Sequence, residues 1–111
     1  MTWQKTGLAA AGLKPGAMQE VVVGSLSVLV ARVGPVVFAI DAVCPHHGGS
    51  LVDGALAGRR LTCPLHGAVF DVGTGAVLGD PFGVEPPEGG VSPATGYPTR
   101  IEAGMVEVDL P

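Results

Sequence analysis

Short apolar runs, separated by glycine and proline, dominate the hydrophobic pattern of this chain. Glu20 to Val23 and Leu26 to Val33 are rich in β-branched residues, and a glycine interrupts the sequence between them. Gly34-Pro35 then separates the second run from a third, Val36 to Ala42. Runs of this length between turn residues are typical of β-strands, and a two-residue connection with glycine predicts a hairpin.

The second half of the chain continues the same pattern. Ala68 to Val72 and Ala76 to Leu78 flank Gly73-Thr74-Gly75, which predicts another hairpin. The last apolar segment, MVEVDL, alternates strictly and follows TRIEA, with a turn at Ala103-Gly104 between the two. This alternation places Val106, Val108 and Leu110 on one face of a strand and Glu107 and Asp109 on the other.

The remaining segments show no amphipathic helix. Thr6 to Leu13 is too short and contains two glycines, and Leu13 to Met18 predicts a turn through Pro15-Gly16. Gly79 to Pro98 holds five prolines and five glycines, which predicts a long loop. We therefore expect an all-β fold, a small antiparallel sandwich or barrel, with residues 41–71 as a loop-rich lobe.

Length and charge limit the possible functions. The 111 residues suffice for one domain with one modest core, and 47% are hydrophobic, which argues against disorder. The net charge is −4 and Arg59-Arg60 is the only adjacent basic pair, so a nucleic-acid partner is not expected. The most apolar stretch, Val21 to Val43, contains two charged residues, glycine and proline, and so predicts no membrane span. We see no secretory signal and expect a cytoplasmic protein.

Both cysteines and all three histidines lie between Asp41 and Asp71. The pattern is Cys-Pro-His at 44–46, sixteen residues, and Cys-Pro-Leu-His at 63–66, with a glycine close behind each half. Each half therefore offers one thiolate and one imidazole on a tight turn, where backbone N–H groups can face a buried anion.

Three interpretations of this pattern compete. The residues can be a cysteine pair and loop histidines with no metal, or the ligands of a structural Cys₂His₂ zinc ion. Common zinc knuckles pair like ligands within one turn, whereas here each turn mixes cysteine with histidine. Ligands one residue apart, Cys44 and His46, suit a third possibility, in which they diverge to two irons of a [2Fe–2S] cluster.

The two loops CPHHGGSL and CPLHGAVFD resemble the cluster-binding loops of the Rieske family. The resemblance extends to LKPG, the strand pair before the first loop, the DG pair between the loops, TGAVLGDP and the closing hairpin. It implies one Rieske domain over residues 1–111 with one [2Fe–2S] cluster. Cys44 and Cys63 would bind one iron, and His46 and His66 the other, at an exposed tip. His47 is then not a ligand.

The second loop also bears on the reduction potential. High-potential members of the family carry an extra disulfide-forming cysteine in each loop, and Leu65 stands where the second would be. They also place a serine and a tyrosine where this chain has Ala68 and Phe70. Hydrogen bonds to sulfur raise the potential. Without these groups we expect a potential near the bottom of the Rieske range, which spans about −150 to +300 mV.

The resemblance implies a soluble ferredoxin of an aromatic-ring dioxygenase system. Such a protein carries one electron at a time from a flavin-containing reductase to a terminal oxygenase and has no catalytic site of its own. Two alternatives remain open: a small electron-relay subunit of a nitrite-reductase-like complex, and a cluster-based redox sensor. Pro81 matches the proline of the family's cover loop. The long 79–98 segment is a partner surface or a tolerated insertion.

Overall fold

β-Strands form nearly all the regular structure of this computed structural model, which describes residues 2–44, 50–64, 67–79 and 93–110. Two short 3₁₀ turns, Ala10–Gly12 and Leu51–Asp53, are the only helical elements in these ranges. The strands are β1 (Thr2–Ala9), β2 (Met18–Val23), β3 (Leu26–Val33), β4 (Val36–Asp41), β5 (Ala55–Ala57), β6 (Arg60–Thr62), β7 (Val69–Asp71), β8 (Val77–Gly79), β9 (Gly96–Tyr97), β10 (Thr99–Glu102) and β11 (Met105–Leu110). The expected all-β fold is confirmed.

The strands form three antiparallel sheets, in the orders β1-β11-β10, β2-β3-β4-β9 and β5-β6-β7-β8. The second sheet is central, and each of its faces belongs to a separate hydrophobic cluster. Val28 and Val30 pack in one cluster with residues of β11, and Leu29 and Ala31 pack in the other with residues of β6 and β7. Burial on both faces explains why β3 is apolar at nearly every position.

The predicted turns lie where the sequence placed them. Gly34-Pro35 connects β3 to β4, and residues 72–76, which include the predicted turn at 73–75, connect β7 to β8. Gly34, Gly75 and Gly104 all adopt positive φ, at 58°, 81° and 80°. Only glycine adopts this conformation at little cost, so these residues fix the hairpins. The turn at Pro15-Gly16 is also present.

The alternation in β11 is confirmed, but its polar face is covered as well. Val106, Val108 and Leu110 are buried, as predicted. Glu107, on the opposite face, is also buried because Arg100 pairs with its carboxylate at 2.8 Å. The Arg100 guanidinium in turn lies 4.4 Å from the ring centroid of Trp3. The ion pair and the aromatic ring shield this face of the first sheet.

The sequence pattern did not predict four strands: β1, β9, and the short strands β5 and β6, which pair with each other inside the segment expected to be a loop-rich lobe. Strand β1 pairs with β11, although it has few β-branched residues. Strand β9 lies within the segment predicted as a loop, where Gly96 and Tyr97 pair with Ile40 and Ala39 of β4. The prediction of one uninterrupted loop over 79–98 is therefore wrong at its end. Its residues 80–92, which include Pro81, lie outside the described residues.

In the part of the chain that the structure describes, no helix has the length and apolar character needed to cross a bilayer.

Candidate metal centre

The two cysteines lie where two sheets meet. Cys44 follows β4 of the central sheet, and Cys63 follows β6 of the third sheet. Their exposed fractions are only 1% and 3%, and both belong to one buried cluster with Leu51, Leu61 and Phe70. The structure therefore brings both predicted sulfur ligands into the same apolar core.

Each cysteine begins a loop that is closed at its base by backbone contacts. The first loop closes through the bridge between Val43 and Ser50 and through the Leu51 N–H, which donates to Ala42 O at 2.9 Å. The chain segments on either side of residues 45–49 are therefore held next to each other.

The second loop closes through the Cys63 N–H, which donates to Ala68 O at 2.8 Å. Within it, the Gly67 N–H donates to Cys63 O at 3.2 Å, and Gly67 has a positive φ of 77°. Histidines 46, 47 and 66, and Leu65, lie outside the described residues.

A close approach beside Cys63 explains the glycine of the Asp53-Gly54 pair. A Cβ atom on Gly54 would lie 2.0 Å from the carbonyl oxygen of Thr62, one residue before Cys63. Only a residue without a side chain lets the 3₁₀ turn rest against β6 here. An open cleft on this side of the cysteine is lined by Asp53, Gly54, Ala55, Thr62, Cys63, Pro64 and Gly67.

The side chains after the second loop are apolar and buried. Ala68 is 1% exposed and Phe70 is fully buried, in the same cluster as both cysteines. Neither side chain carries a hydroxyl group that could donate a hydrogen bond to sulfur. The low reduction potential stays a prediction.

An ion pair braces the third sheet on its side facing the central sheet. Arg59 Nη2 donates to Asp71 Oδ1 at 2.9 Å, and its guanidinium lies 4.8 Å from the ring centroid of Phe38. The Gly73 N–H also donates to Asp71 Oδ1, at 2.8 Å. Burial opposes ionisation of Asp71, but the hydrogen bonds from Arg59 and Gly73 outweigh it and lower the carboxyl pKa. In the sequence Arg59 is notable only as part of the one adjacent basic pair, and no pattern joins it to Asp71.

A second polar group lies on the strand that leads to Cys44. The Tyr97 hydroxyl donates to Asp41 Oδ1 at 2.5 Å, and the Thr95 N–H donates to Asp41 Oδ2 at 3.2 Å. Burial of the phenol, together with the hydrogen bond and the negative charge of Asp41, raises the pKa of Tyr97 to about 12. No pattern in the sequence joins Asp41 to Tyr97, although Asp41 lies only three residues before a predicted ligand.

The donor set fits a thiolate-bound metal centre. Two buried sulfur atoms approach one core from two separate closed loops, and soft thiolate donors suit iron–sulfur clusters and zinc. The other two predicted ligands, His46 and His66, belong to the same two loops in sequence.

Comparison with protein families decides between an iron–sulfur cluster and a zinc ion. Residues 2–89 match the model of the Rieske [2Fe-2S] domain. The chain belongs to the Rieske [2Fe–2S] domain family, and the predicted cofactor, a [2Fe–2S] cluster, is confirmed.

Similar proteins indicate which kind of Rieske protein this chain resembles. Ferredoxin CarAc of Metapseudomonas resinovorans is 37% identical over 97 residues, covering 80% of this chain and 90% of that protein. A chain in the solved complex of reduced oxygenase and oxidized ferredoxin in carbazole 1,9a-dioxygenase is 32% identical, with a TM-score of 0.82; the match covers 96% of this chain and 91% of that one. The predicted resemblance to Rieske-type ferredoxins is confirmed.

A third relative is much longer than the present chain. Apoptosis-inducing factor 3 of Mus musculus and of Homo sapiens is 41% identical over 63 residues. This match covers 57% of the present chain but only 10% of the relative. The Rieske segment thus occurs both in small ferredoxins and within larger proteins.

Proposed function

We propose that this protein is a one-electron carrier that accepts electrons from a flavin-containing reductase and delivers them to the terminal oxygenase of an aromatic-ring dioxygenase system. The observation that carries the proposal is the pair of buried cysteines on two closed loops of a Rieske domain. The similarity to a chain of about the same length in the solved complex of oxygenase and ferredoxin in carbazole 1,9a-dioxygenase supports the choice of partner. On this proposal the protein has no catalytic site of its own.

Four residues hold the cluster in this proposal: Cys44, His46, Cys63 and His66. The cluster supplies reversible one-electron chemistry when it is bound. The two cysteines lie in the apolar core, where their neighbours exclude water from the sulfur atoms. His47 is not a ligand and can be replaced without loss of the cluster.

The whole chain, 1–111, acts as a single Rieske domain in this proposal, with a cluster-binding lobe at about residues 41–71. The carrier works in the cytoplasm, without a membrane or a nucleic acid as partner. Cysteines that bind a metal form no disulfide, and this suits a reducing compartment, where disulfides are rare. Fractionation of cells that express the protein from its own locus tests the compartment.

Reconstitution of electron transfer tests the carrier role. The purified, cluster-bearing protein is mixed with the reductase and terminal oxygenase of a carbazole 1,9a-dioxygenase system, NADH, carbazole and O₂. We expect bleaching of the visible band on addition of reductase, recovery on addition of oxygenase, and hydroxylated product in proportion to the protein added. The His47→Ala variant serves as the matched control and should support the same turnover.

Two results contradict the proposal. The first is a cluster that is reduced neither by this reductase nor by any flavoprotein from the source cells. Such a cluster does not serve a carrier, and a redox-sensor role would replace the proposal. Isolation from source cells in a stable stoichiometric complex with a large redox subunit identifies a fixed relay subunit instead. A monomer that cycles with separate partners supports the carrier.

A further inference from the structure

Residues 94–97, called the clasp below, contact the two sheets that carry the cysteines. On one side Gly96 and Tyr97 pair with Ile40 and Ala39 of β4. The Asp41 N–H extends this pairing by donating to Thr95 O at 2.9 Å. The clasp therefore holds the last residues of β4, just before the chain enters the first cysteine loop.

Side-chain hydrogen bonds reinforce this side of the clasp. Both carboxylate oxygens of Asp41 are used: Oδ1 accepts from the Tyr97 hydroxyl and Oδ2 from the Thr95 N–H. Asp41 is therefore bonded to the clasp through its main chain and its side chain together. Only Ala42 and Val43 separate it from Cys44.

The other side of the clasp touches the hairpin between β7 and β8. The Ala94 N–H donates to Gly75 O at 2.9 Å. The two backbones are so close that a Cβ atom on Gly75 would lie 1.9 Å from Ala94 O. A Cβ atom on Gly96 would likewise lie 3.0 Å from Gly73 O.

This hairpin is continuous with the second cysteine loop. Strand β7 begins at Val69, directly after Ala68, whose carbonyl oxygen accepts the Cys63 N–H at 2.8 Å. The 73–75 turn is thus connected to Cys63 through one short strand and one backbone hydrogen bond. The clasp joins the two cysteine loops by a path that does not pass through a metal.

We propose that the clasp sets the relative position of the two cysteine loops, and that Tyr97 is a positioning residue that acts through Asp41 on Cys44. The proposal rests on the assignment of the cluster to these loops. The Tyr97 hydroxyl then affects two properties of the cluster, its rate of release and its reduction potential, and not only the overall stability of the β-sheets.

The test compares Tyr97→Phe with Thr99→Val as a matched control. Each variant removes one hydroxyl that bonds to the β4 region, since Thr99 Oγ1 donates to Val37 O at 2.7 Å. Thr99 lies on β10, and its hydroxyl bonds to Val37 near the start of β4, whereas Tyr97 bonds to Asp41 at the end of that strand. Release of the cluster to an iron chelator is followed by the visible absorbance, and each midpoint potential is measured by voltammetry.

We expect Tyr97→Phe to release the cluster about tenfold faster than wild type and to shift its midpoint, because a hydrogen bond to a charged acceptor is lost. Thr99→Val should release it at nearly the wild-type rate, with an unchanged midpoint. In Asp41→Asn, adding Tyr97→Phe should cause a smaller further change than it does in the wild type, since the two groups act as one.

Two outcomes overturn the proposal. Equal release rates for Tyr97→Phe and Thr99→Val mean that the clasp contributes only general stability. A Tyr97→Phe variant that matches wild type in both release rate and midpoint means that the hydroxyl positions nothing. A purified wild-type protein that is colourless contradicts the cluster assignment instead, so the two failures are distinguishable.

Discussion

Replacing Gly75 with alanine tests the close contact between the clasp and the β7–β8 hairpin. A Cβ atom at this position meets two obstacles: φ is +81°, and Ala94 O lies 1.9 Å away. Gly16 provides a matched control, because its φ is +86° and nothing lies within 4 Å of its Cβ position. The N–H of each glycine donates to a carbonyl oxygen at 2.7 Å, so the two positions differ mainly in the close contact.

The expected magnitudes follow from these two terms. Alanine in the left-handed region costs about 1–2 kcal/mol, and Gly16→Ala should lose no more than this. Gly75→Ala must also displace Ala94 by more than 1 Å, since ordinary contact begins near 3.4 Å. That displacement breaks the Ala94–Gly75 hydrogen bond and adds about 2 kcal/mol. At about 4 °C or more per kcal/mol, the extra loss lowers Tm by about 8 °C beyond the control.

The assay is thermal unfolding of the cluster-bearing protein with two probes. Unfolding of a metalloprotein is not a simple two-state reaction, so apparent Tm values are compared at one scan rate. Fluorescence of Trp3, the only tryptophan, reports on the first sheet, and visible absorbance reports on the cluster. We expect Gly75→Ala to lose visible absorbance earliest. Equal Tm shifts for the two alanine variants would refute the reasoning.

Three further predictions concern the ligands, the potential and pH. His46→Ala should give a colourless protein, whereas His47→Ala should keep the wild-type visible spectrum; loss of colour in His47→Ala contradicts the ligand assignment. Voltammetry should give a midpoint near the bottom of the Rieske range, and a value above about +100 mV contradicts it. Arg59→Met should lower the free energy of unfolding at neutral pH by no more than about 1 kcal/mol, because Arg59 is half exposed. Since the Asp71 pKa in the fold lies below its usual 3.8, this difference should persist above pH 4 and shrink at lower pH; a constant difference down to pH 2 contradicts the ion-pair explanation.

The elements that the sequence predicted well are those encoded by neighbouring residues. Each of the hairpins at Gly34-Pro35, 73–75 and Ala103-Gly104 is set by a turn signal between two apolar runs. The cluster motif is equally local, because two ligands lie within three or four residues in each loop. Such patterns need no knowledge of the rest of the fold.

The features that the sequence did not reveal depend on distant partners. Strand β1 owes its register to β11, at the other end of the chain. The Asp41–Tyr97 hydrogen bond joins residues 56 positions apart, and Tyr97 lies in a segment whose prolines and glycines predicted a loop. Glu107 likewise follows the alternation of an exposed face, but it is buried and paired with Arg100, whose guanidinium lies against Trp3. Each of these depends on tertiary contacts that local propensity does not encode.

The electron paramagnetic resonance spectrum of the reduced protein tests the central claim most directly. The claim is that Cys44, His46, Cys63 and His66 hold one [2Fe–2S] cluster. We expect a rhombic signal whose average g value is lower than that of an all-cysteine cluster, because two imidazoles replace two thiolates on one iron. A signal of the all-cysteine type, or a colourless protein with stoichiometric zinc and no signal, would contradict the account.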